Sequence, residues 1–397
     1  NIIDDFEYAA EYVRINDGDQ QVNRDVVLSY YSYYMLFFGT FVKYHYNDQA
    51  LSDELLNKAV WASNEIMQSQ RYTIVDDYRG LFTSESLAGN KEVILYREYA
   101  AGKTMHVMVS YNNAEAQTGI SKRTFETYLA SDGLPIKQSP NYNYALDNGR
   151  RKYEDSYQNR DPRIAATFVD TVRINKEHTG YSTTGIASWK FLPDGLTPLE
   201  AATDPRYISS TNTTDAPVIR YAQILLNYAE AKAELGTLNQ TDLDNTINLL
   251  RNRNIKLHPA VASSPVLPKL PPLKLQGNMP AVEVGGVLTT IDDPDRDSDV
   301  PSLIWEIRRE RRSELMFEGY RRDVLRRGKK FECLISDVTK NSGVPFDITL
   351  GVWMDEADYP HFNWPAIKAD VVFSYPNPAD QTKGYIYSQP LSTQQRD

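Results

Sequence analysis

Residues Ile304–Lys330 read IWEIRRERRSELMFEGYRRDVLRRGKK, and this segment carries the pattern that decides the fold. Ile304, Ile307 and Leu315 fall on one helical face with Arg311 between them, so the spacing predicts a helix that packs inward. The segment holds ten Lys/Arg and five Asp/Glu, a local balance of +5 in a chain whose formal net charge is −10. Arginines at this density need partners that hold them.

The ends of this helix carry signals of their own. Asp299 or Ser302 is expected to cap its start, because a short polar side chain accepts hydrogen bonds from the free N–H groups of a first turn. Gly319 predicts a stop or a bend. Arg311 and Glu314 are three residues apart and are expected to meet on one face.

Two interpretations of the arginines compete. In the first, they form ion pairs that dock the helix on its neighbours. In the second, they bind an anionic ligand such as phosphate or nucleic acid. Acidic residues interleave with the arginines and cancel much of the positive field locally, which favours the first interpretation.

Composition sets further bounds. A chain of 397 residues with 41% hydrophobic and 24% charged residues can bury a sizeable core. A pI near 5.2 argues against general nucleic-acid binding. The single cysteine, Cys333, excludes an intrachain disulfide. The longest aromatic-apolar run, Tyr33–Val42, is about half the roughly 20 residues that a membrane-spanning helix needs.

Apolar periodicity predicts further helices in the first 75 residues of the chain and again from Arg220. The N-terminal ones are expected at Phe6–Val13, at Arg24–Tyr46, which is rich in aromatic residues and should be buried on more than one side, and at Ser52–Ser69, with a cap at Ser52. Because the chain opens directly on a helical pattern, without a signal peptide, we expect an N-terminal part to be missing.

Helical order returns at Arg220 and is expected to end at Gly236, after which Thr241 should cap a second helix. The 33 residues Tyr221–Arg253 match the length of a tetratricopeptide repeat. The Pro-rich segment Pro259–Pro280 is expected to lie extended over the surface. Between the helical parts, short apolar runs such as Val93–Tyr96 alternate with Gly, Asn, Asp and Ser clusters, which predicts loops, short helices and a few strand pairs.

Few residues suggest catalysis or metal binding. The acids of Asp293–Asp299 alternate as in a calcium loop, but the sixth position lacks glycine and the twelfth lacks glutamate, so a solvated acidic loop is expected. The five histidines have no zinc spacing, and no nucleophile, phosphate or dinucleotide motif is present. We therefore expect no catalytic residue, no metal and no cofactor. A glycoside hydrolase, whose two carboxylates meet only in space, stays an alternative.

The middle region is rich in aromatic residues set among amides and arginines. Flat aromatic faces stack on sugar rings, while amides and guanidinium groups bond hydroxyls, and peptides use the same chemistry. The candidate ligand-binding residues are Tyr142, Asn143, Tyr144, Arg151, Tyr181 and Trp189.

Several of these segments resemble one family. Arg220–Gly236, RYAQILLNYAEAKAELG, and Ile304–Gly328 look like the two strong helical motifs of the SusD/RagB family, the surface nutrient-binding lipoproteins of Bacteroidetes. The Asp132–Ile136 turn, Asn159–Arg163 and Tyr375–Pro378 also fit. The resemblance spans almost the whole chain, and the two helical motifs together are specific.

The resemblance implies a mostly α fold in a single domain, residues 1–397. A scaffold of tetratricopeptide-like helix pairs would comprise about residues 1–75, 218–255 and 302–330, and an irregular, loop-rich half with a few short strands, about 78–216, would carry the ligand. The family's N-terminal portion, with its lipid-bearing cysteine, has no counterpart in this sequence.

The resemblance also implies a function. Family members are non-catalytic proteins that sit on the outer membrane, exposed at the cell surface through a lipid anchor. They deliver an oligosaccharide, or in some cases a peptide, to a SusC-like TonB-dependent transporter. A pure protein-interaction scaffold is a further alternative. Since the family's ligand residues vary with the substrate, no binding residue carries over by motif.

Overall fold

A computed structural model describes residues 2–15, 17–113, 120–142, 151–193, 195–196, 198–256, 263–319, 350–375 and 377–387. Its helices are α1 (Ile2–Tyr12), α2 (Arg24–Phe41), α3 (Gln49–Gln68), α4 (Gly80–Thr83), α5 (Met108–Asn113), α6 (Lys122–Glu126), α7 (Tyr153–Tyr157), α8 (Arg163–Thr167), α9 (Pro198–Thr203), α10 (Tyr221–Glu234), α11 (Gln240–Asp244), α12 (Ile247–Arg251), α13 (Ser302–Glu314) and α14 (Trp364–Asp370). Its strands are β1 (Val93–Arg97), β2 (Ala216–Arg220), β3 (Lys274–Gln276), β4 (Met279–Val284), β5 (Val287–Thr290), β6 (Leu350–Asp355), β7 (Phe373–Ser374) and β8 (Lys383–Tyr387).

The first core is helical. It gathers the apolar faces of α1, α2, α3, α10, α12 and α13, with Leu28, Leu56, Ile224 and Ile307 fully buried. Helices α2 and α3 approach closely at Gly39, where an added Cβ would lie 2.9 Å from Leu56 Cγ. A side chain at this position would therefore push the two helices apart.

The second core lies under a small antiparallel sheet in the order β6-β8-β7. It contains many aromatic residues, among them Phe125, Tyr128, Phe168 and Trp364. Two further antiparallel sheets, β1-β2 and β3-β4-β5, complete the strands of the described residues. The mostly helical prediction with a few short strand pairs is confirmed.

Helix α2 shows how far its aromatic residues are buried. Tyr31 is fully buried on one face, whereas Tyr30, Tyr34 and Phe38 form a partly exposed row on the other. Because α2 packs against α1, α3 and α10, its predicted burial on more than one side is confirmed, while this row stays partly exposed. After Phe41 the helix widens into a π-helical turn, Val42–Tyr46, before Asn47 reverses the chain with a positive φ of 55°.

Predicted helix starts were displaced where another cap was available. Helix α3 starts at Gln49, because the Asp48 carboxylate accepts the Leu51 N–H at 3.1 Å, and not at Ser52. Asn239 and Asp242 form a capping box ahead of α11. The second helix expected from Thr241 is in fact two short ones, α11 and α12.

The start of α13 also differs from the expectation. Pro301 precedes the helix, and no side chain makes a capping hydrogen bond there. Ser302 is the first helical residue, and its hydroxyl donates to Asp292 at 3.2 Å. Proline suits a helix entry because it lacks an N–H that would otherwise need an acceptor.

The Pro-rich segment does not simply cover the surface. Leu270 and Leu273 are buried, and the N–H of Leu273 donates to Asn248 at 2.7 Å. The segment is thus bonded to α12 through its backbone and contributes two leucines to the packing.

Helix α13 contributes three carboxylates to a buried ion-pair network. Glu314 is fully buried and pairs with Arg253 at 2.8 Å, Arg220 at 3.2 Å and Arg163 at 3.3 Å. Its own burial would raise the pKa of Glu314, but the three guanidinium groups outweigh burial and hold it at about 2. Glu92 also joins Arg220 and Arg253, at 2.6 Å each.

The other acids of α13 connect the helix to distant parts of the chain. Glu310 pairs with Arg163 at 2.7 Å and with Arg251 at 2.9 Å. Glu306 pairs with Arg251 at 3.1 Å. Since Arg163 belongs to α8 and Arg251 to α12, these pairs fasten the second core to the helical scaffold.

The arginines of α13 face α10. Arg311 donates to Glu230 at 2.7 Å and to Asn227 at 3.0 Å, and Arg308 donates to Glu234 at 3.2 Å. Charges removed from water are tolerated only when they are paired. The interpretation of this segment as a structural ion-pair network is confirmed for α13, while residues 320–330 of the motif lie outside the described residues.

Replacing Arg311 by alanine should lower the free energy of unfolding by about 3 kcal/mol, because it leaves the buried Glu230 carboxylate without its closest cation. Urea denaturation measures the loss, and the exposed Arg14→Ala serves as the control that should change little. Ligand binding by the folded variant should be intact. Lost binding at unchanged stability would make Arg311 a ligand residue.

Within the described residues, no helix has both the length and the apolar character that crossing a membrane requires.

Candidate ligand-binding site

A small cleft lies between α6, α7 and strand β6. Helix α6 is fixed at its start by Ser121, whose hydroxyl accepts the Thr124 N–H at 3.3 Å. Polar and aromatic side chains line the cleft, namely Lys122, Glu126, Tyr142, Arg151, Ser156 and Trp353. The structure thus brings two of the predicted residues, Tyr142 and Arg151, into one site.

The Tyr142 ring is part of the wall of this cleft. It is only 3% exposed and packs with Ala130 and Ile136. The Arg151 and Arg160 guanidinium carbons lie 4.7 and 5.1 Å from its ring centroid. Because its faces are covered by cations, the ring positions Arg151 at the cleft and does not offer a free stacking surface.

Of the two arginines beside Tyr142, Arg160 is held in place by hydrogen bonds to the backbone. It donates to the carbonyl oxygens of Phe125 and Tyr128 at 2.9 Å each, and to Ser156 at 3.0 Å. Burial lowers its pKa. These bonds join the loop after α6 to the end of α7, so the cleft has a rigid floor.

Trp189 and Tyr181 lie in other parts of the middle region. The half-buried Trp189 packs with Leu192, and its indole N–H donates to the Ala165 carbonyl at 2.9 Å. The Arg79 guanidinium carbon lies 5.2 Å from its ring. Tyr181 is half-buried in the loop whose Thr184 carbonyl accepts the Val352 N–H of β6. Asn143 and Tyr144 lie outside the described residues.

The acidic loop before α13 binds Arg309 and Trp305, and these contacts fix the first turns of the helix. Asp293 accepts the Trp305 indole N–H at 2.9 Å and pairs with Arg309. Burial raises the pKa of Asp293, but Arg309 outweighs burial and lowers it overall. Asp295 pairs with Lys137 at 2.7 Å. In the described part of the chain, no three His, Cys, Asp or Glu side chains are grouped as metal ligands.

Sequence reasoning missed a second concave surface, which we name the Trp61 groove. This groove of about 620 Å³ lies between α1, α2 and α3. It is lined by Glu7, Glu11, Arg24, Glu54, Lys58 and Trp61. The sequence did contain one signal of this groove. Trp61 lies outside the apolar face of α3 that Leu56, Ala59 and Ile66 form, and this spacing places it away from the core.

Comparison with known proteins agrees with this architecture. A sequence model described as the SusD family matches residues 91–343. A SusD-like carbohydrate binding protein from Bacteroides fragilis is similar in structure, with a TM-score of 0.58 and 18% identity over 97% of this chain and 65% of that chain. Another SusD-like protein from the same species gives a TM-score of 0.52 and 19% identity over 83% of this chain and 59% of that chain.

The chain therefore spans less than two thirds of the length of these two structures. No curated protein matches it. The two structural similarities support the mostly helical fold that the sequence predicts.

Proposed function

This chain belongs to the SusD family, and from that premise we infer that it is a non-catalytic nutrient-binding protein that captures an oligosaccharide at the cell surface. The observation that carries this proposal is the family match, together with the shared fold of a SusD-like carbohydrate binding protein. Capture needs a site that binds and releases a ligand unchanged.

The state of the buried acids supports binding over hydrolysis. A glycosidase needs one carboxylic acid with a raised pKa to protonate the leaving group. At the centre of the fold, ion pairs lower the pKa values of Glu310 and Glu314. Asp215 does have a raised pKa because of its burial, but its two oxygens accept the N–H groups of Leu87 and Tyr99 and hold a loop.

The rim of the cleft beside Tyr142 is the proposed site, because the cleft itself encloses only about 10 Å³. Arg151 supplies donors there, Ser156 supplies an acceptor, and Lys122 and Glu126, which form an ion pair with each other, offer their remaining donors and acceptors; this is the mixture that sugar hydroxyls require. Asn143 and Tyr144, next along the chain, are proposed to add an amide and a stacking ring. Tyr181 and Trp189 stay predictions as further contacts.

The proposed function includes delivery of the bound ligand to a transporter. We place the protein on the outer membrane, held there by a lipid anchor, where it would pass its ligand to a SusC-like TonB-dependent transporter. A peptide ligand is the alternative within the family, because a guanidinium and a carboxylate in one cleft also suit backbone amides.

Calorimetry with neutral and acidic oligosaccharides and with mixed peptides tests the proposal. The wild type should bind a sugar. Arg151→Ala should weaken that binding at least ten-fold, because it removes the hydrogen bonds that the guanidinium group donates to the sugar hydroxyls. The matched control is Arg206→Ala, because Arg206 is an exposed arginine whose ion pair is with its neighbour Asp204. Peptide binding alone would favour the alternative, and chromatographic detection of cleaved sugar would overturn the non-catalytic assignment.

A further inference from the structure

The Trp61 groove presents one continuous face from each of two helices. On α3, Glu54, Lys58 and Trp61 follow the helical spacing that places side chains in one row, and Asn57 belongs to the same row. On α1, Glu7, Ala10 and Glu11 line the opposing wall. A volume of about 620 Å³ is within the range of small-molecule clefts.

Ion pairs fix the shape of this groove before any ligand arrives. Lys58 on α3 pairs with Glu7 on α1 at 2.7 Å. Arg24 on α2 pairs with Glu65 on α3 at 2.9 Å and donates to the Ala10 carbonyl at 3.2 Å. The three helices are thus held together around the opening, which reduces the ordering that binding would require.

Trp61 supplies a large aromatic surface to the groove. It is 42% exposed, whereas Trp189 and Trp305 are half-buried and Trp353 and Trp364 are buried. Its edge-on contact with Tyr31, at 6.0 Å between centroids, orients the ring. A rigid, accessible indole suits the CH-rich face of a sugar ring as well as other flat apolar groups.

The charged side chains of the groove favour some ligands over others. Within the described part of the chain, neither Glu11 nor Glu54 has a hydrogen-bond or ion-pair partner, whereas Lys58 and Arg24 are paired with carboxylates. The free carboxylates accept hydrogen bonds from hydroxyl groups and repel anions. This combination favours a neutral polyhydroxy ligand over a uronate or a sulfated sugar.

We propose that the Trp61 groove is a second sugar-binding surface, selective for neutral oligosaccharides, in which Trp61 stacks on a pyranose ring and Glu11 and Glu54 accept its hydroxyls. This rests on the proposed function and narrows its substrate class. It is built from helices other than those of the Tyr142 cleft, so the two surfaces are separate sites.

The test uses the whole chain on an array of neutral and acidic oligosaccharides, followed by calorimetry with the best neutral binder. Trp61→Ala should weaken that binding at least ten-fold, Trp61→Phe should weaken it less, and Tyr46→Ala, an exposed aromatic outside the groove, should bind as the wild type does. Bound sugar should also change the tryptophan fluorescence of the wild type, and Trp61→Phe should lose the part of this change that does not come from Trp353 in the Tyr142 cleft. The double variant Glu11→Gln, Glu54→Gln, which alters only exposed side chains, should gain binding of acidic oligosaccharides such as hexagalacturonate.

The outcomes separate the groove from the proposed function. Sugar binding that is unchanged in Trp61→Ala and lost in Arg151→Ala overturns the groove and leaves the function standing. Absence of sugar binding in the wild type overturns both. If Trp61→Ala instead abolishes binding of a peptide, or converts a dimer to a monomer in sedimentation, the groove has another occupant and the proposal is wrong.

Discussion

Replacing Glu314 by glutamine is expected to lower the free energy of unfolding by about 3–5 kcal/mol. The change keeps the shape of the side chain but removes a buried negative charge shared by Arg163, Arg220 and Arg253. Among the described residues, Arg253 would then have only the Glu92 carboxylate, which it shares with Arg220. Arg220 would keep Glu318, so part of the buried positive charge would be uncompensated. Urea or thermal denaturation of the folded chain measures this loss.

The same substitution should change the response to acid. The pKa of Glu314 is about 2 in the folded protein, against 4.5 for an unperturbed glutamate. A lowered folded pKa gives stability that is fully present above pH 4.5 and is lost as the pH falls toward 2, roughly 3 kcal/mol at about 1.4 kcal/mol per pH unit. The stability of Glu314→Gln should therefore fall less steeply than that of the wild type across this window.

An exposed carboxylate provides the matched control. Glu283 pairs with Lys274 on the outside of the β3-β4-β5 sheet, so Glu283→Gln should leave the unfolding midpoint almost unchanged. If Glu314→Gln were as stable as Glu283→Gln, the buried network would not hold α13 in place.

The sequence allowed the role of α13 to be predicted but not its partners. Apolar spacing and interleaved acids in one segment indicated a buried, internally paired helix. The three partners of Glu314, namely Arg163, Arg220 and Arg253, come from positions 61 to 151 residues away in the chain. No local pattern marks such pairs, because their distances depend on how whole elements pack.

The candidate site was harder to predict for a related reason. Tyr142 lies in a polar, turn-rich stretch, which is typical of a ligand-binding loop, yet Arg160 and Arg151 cover its ring. Trp61 lies in a regular helix, so its sequence context did not mark it as a ligand-binding residue. The structure nevertheless leaves it more exposed than the other tryptophans. Residue type indicates which chemistry is possible, whereas exposure, which decides whether a ligand reaches it, is set by tertiary packing.

The helix caps and the Pro-rich segment show that the local sequence alone also leaves short-range features undecided. Asp48 and Ser52 are both plausible caps for α3, and the structure uses Asp48. Proline excludes regular helix from the segment before β3, but it does not prevent Leu270 and Leu273 from packing inward. Backbone chemistry restricts the conformations of a segment and leaves burial to its neighbours.

Replacing Gly351 by alanine is expected to lower the free energy of unfolding by about 3 kcal/mol, at the upper end of overpacking effects. Strand β6 passes directly against the backbone of Thr184, and the Val352 N–H donates to the Thr184 carbonyl at 2.9 Å. A Cβ on Gly351 would overlap the Thr184 carbonyl oxygen and lie 2.6 Å from its carbonyl carbon and Cα. Backbone atoms cannot rotate away, so the loop and the strand would have to separate.

The loop side of this contact is equally restricted. Gly185 has a φ of +80°, and an added Cβ would lie 2.6 Å from Val352 Cγ2. The matched control is Gly277→Ala, at a turn where φ is +62° and no atom lies within 4 Å of the new methyl group, so the control carries only the left-handed strain of about 1 kcal/mol. Chemical denaturation should rank Gly351→Ala well below Gly277→Ala in stability. An equal loss in both would mean that the loop tolerates a wider spacing from β6, and that this contact does not fix the second core.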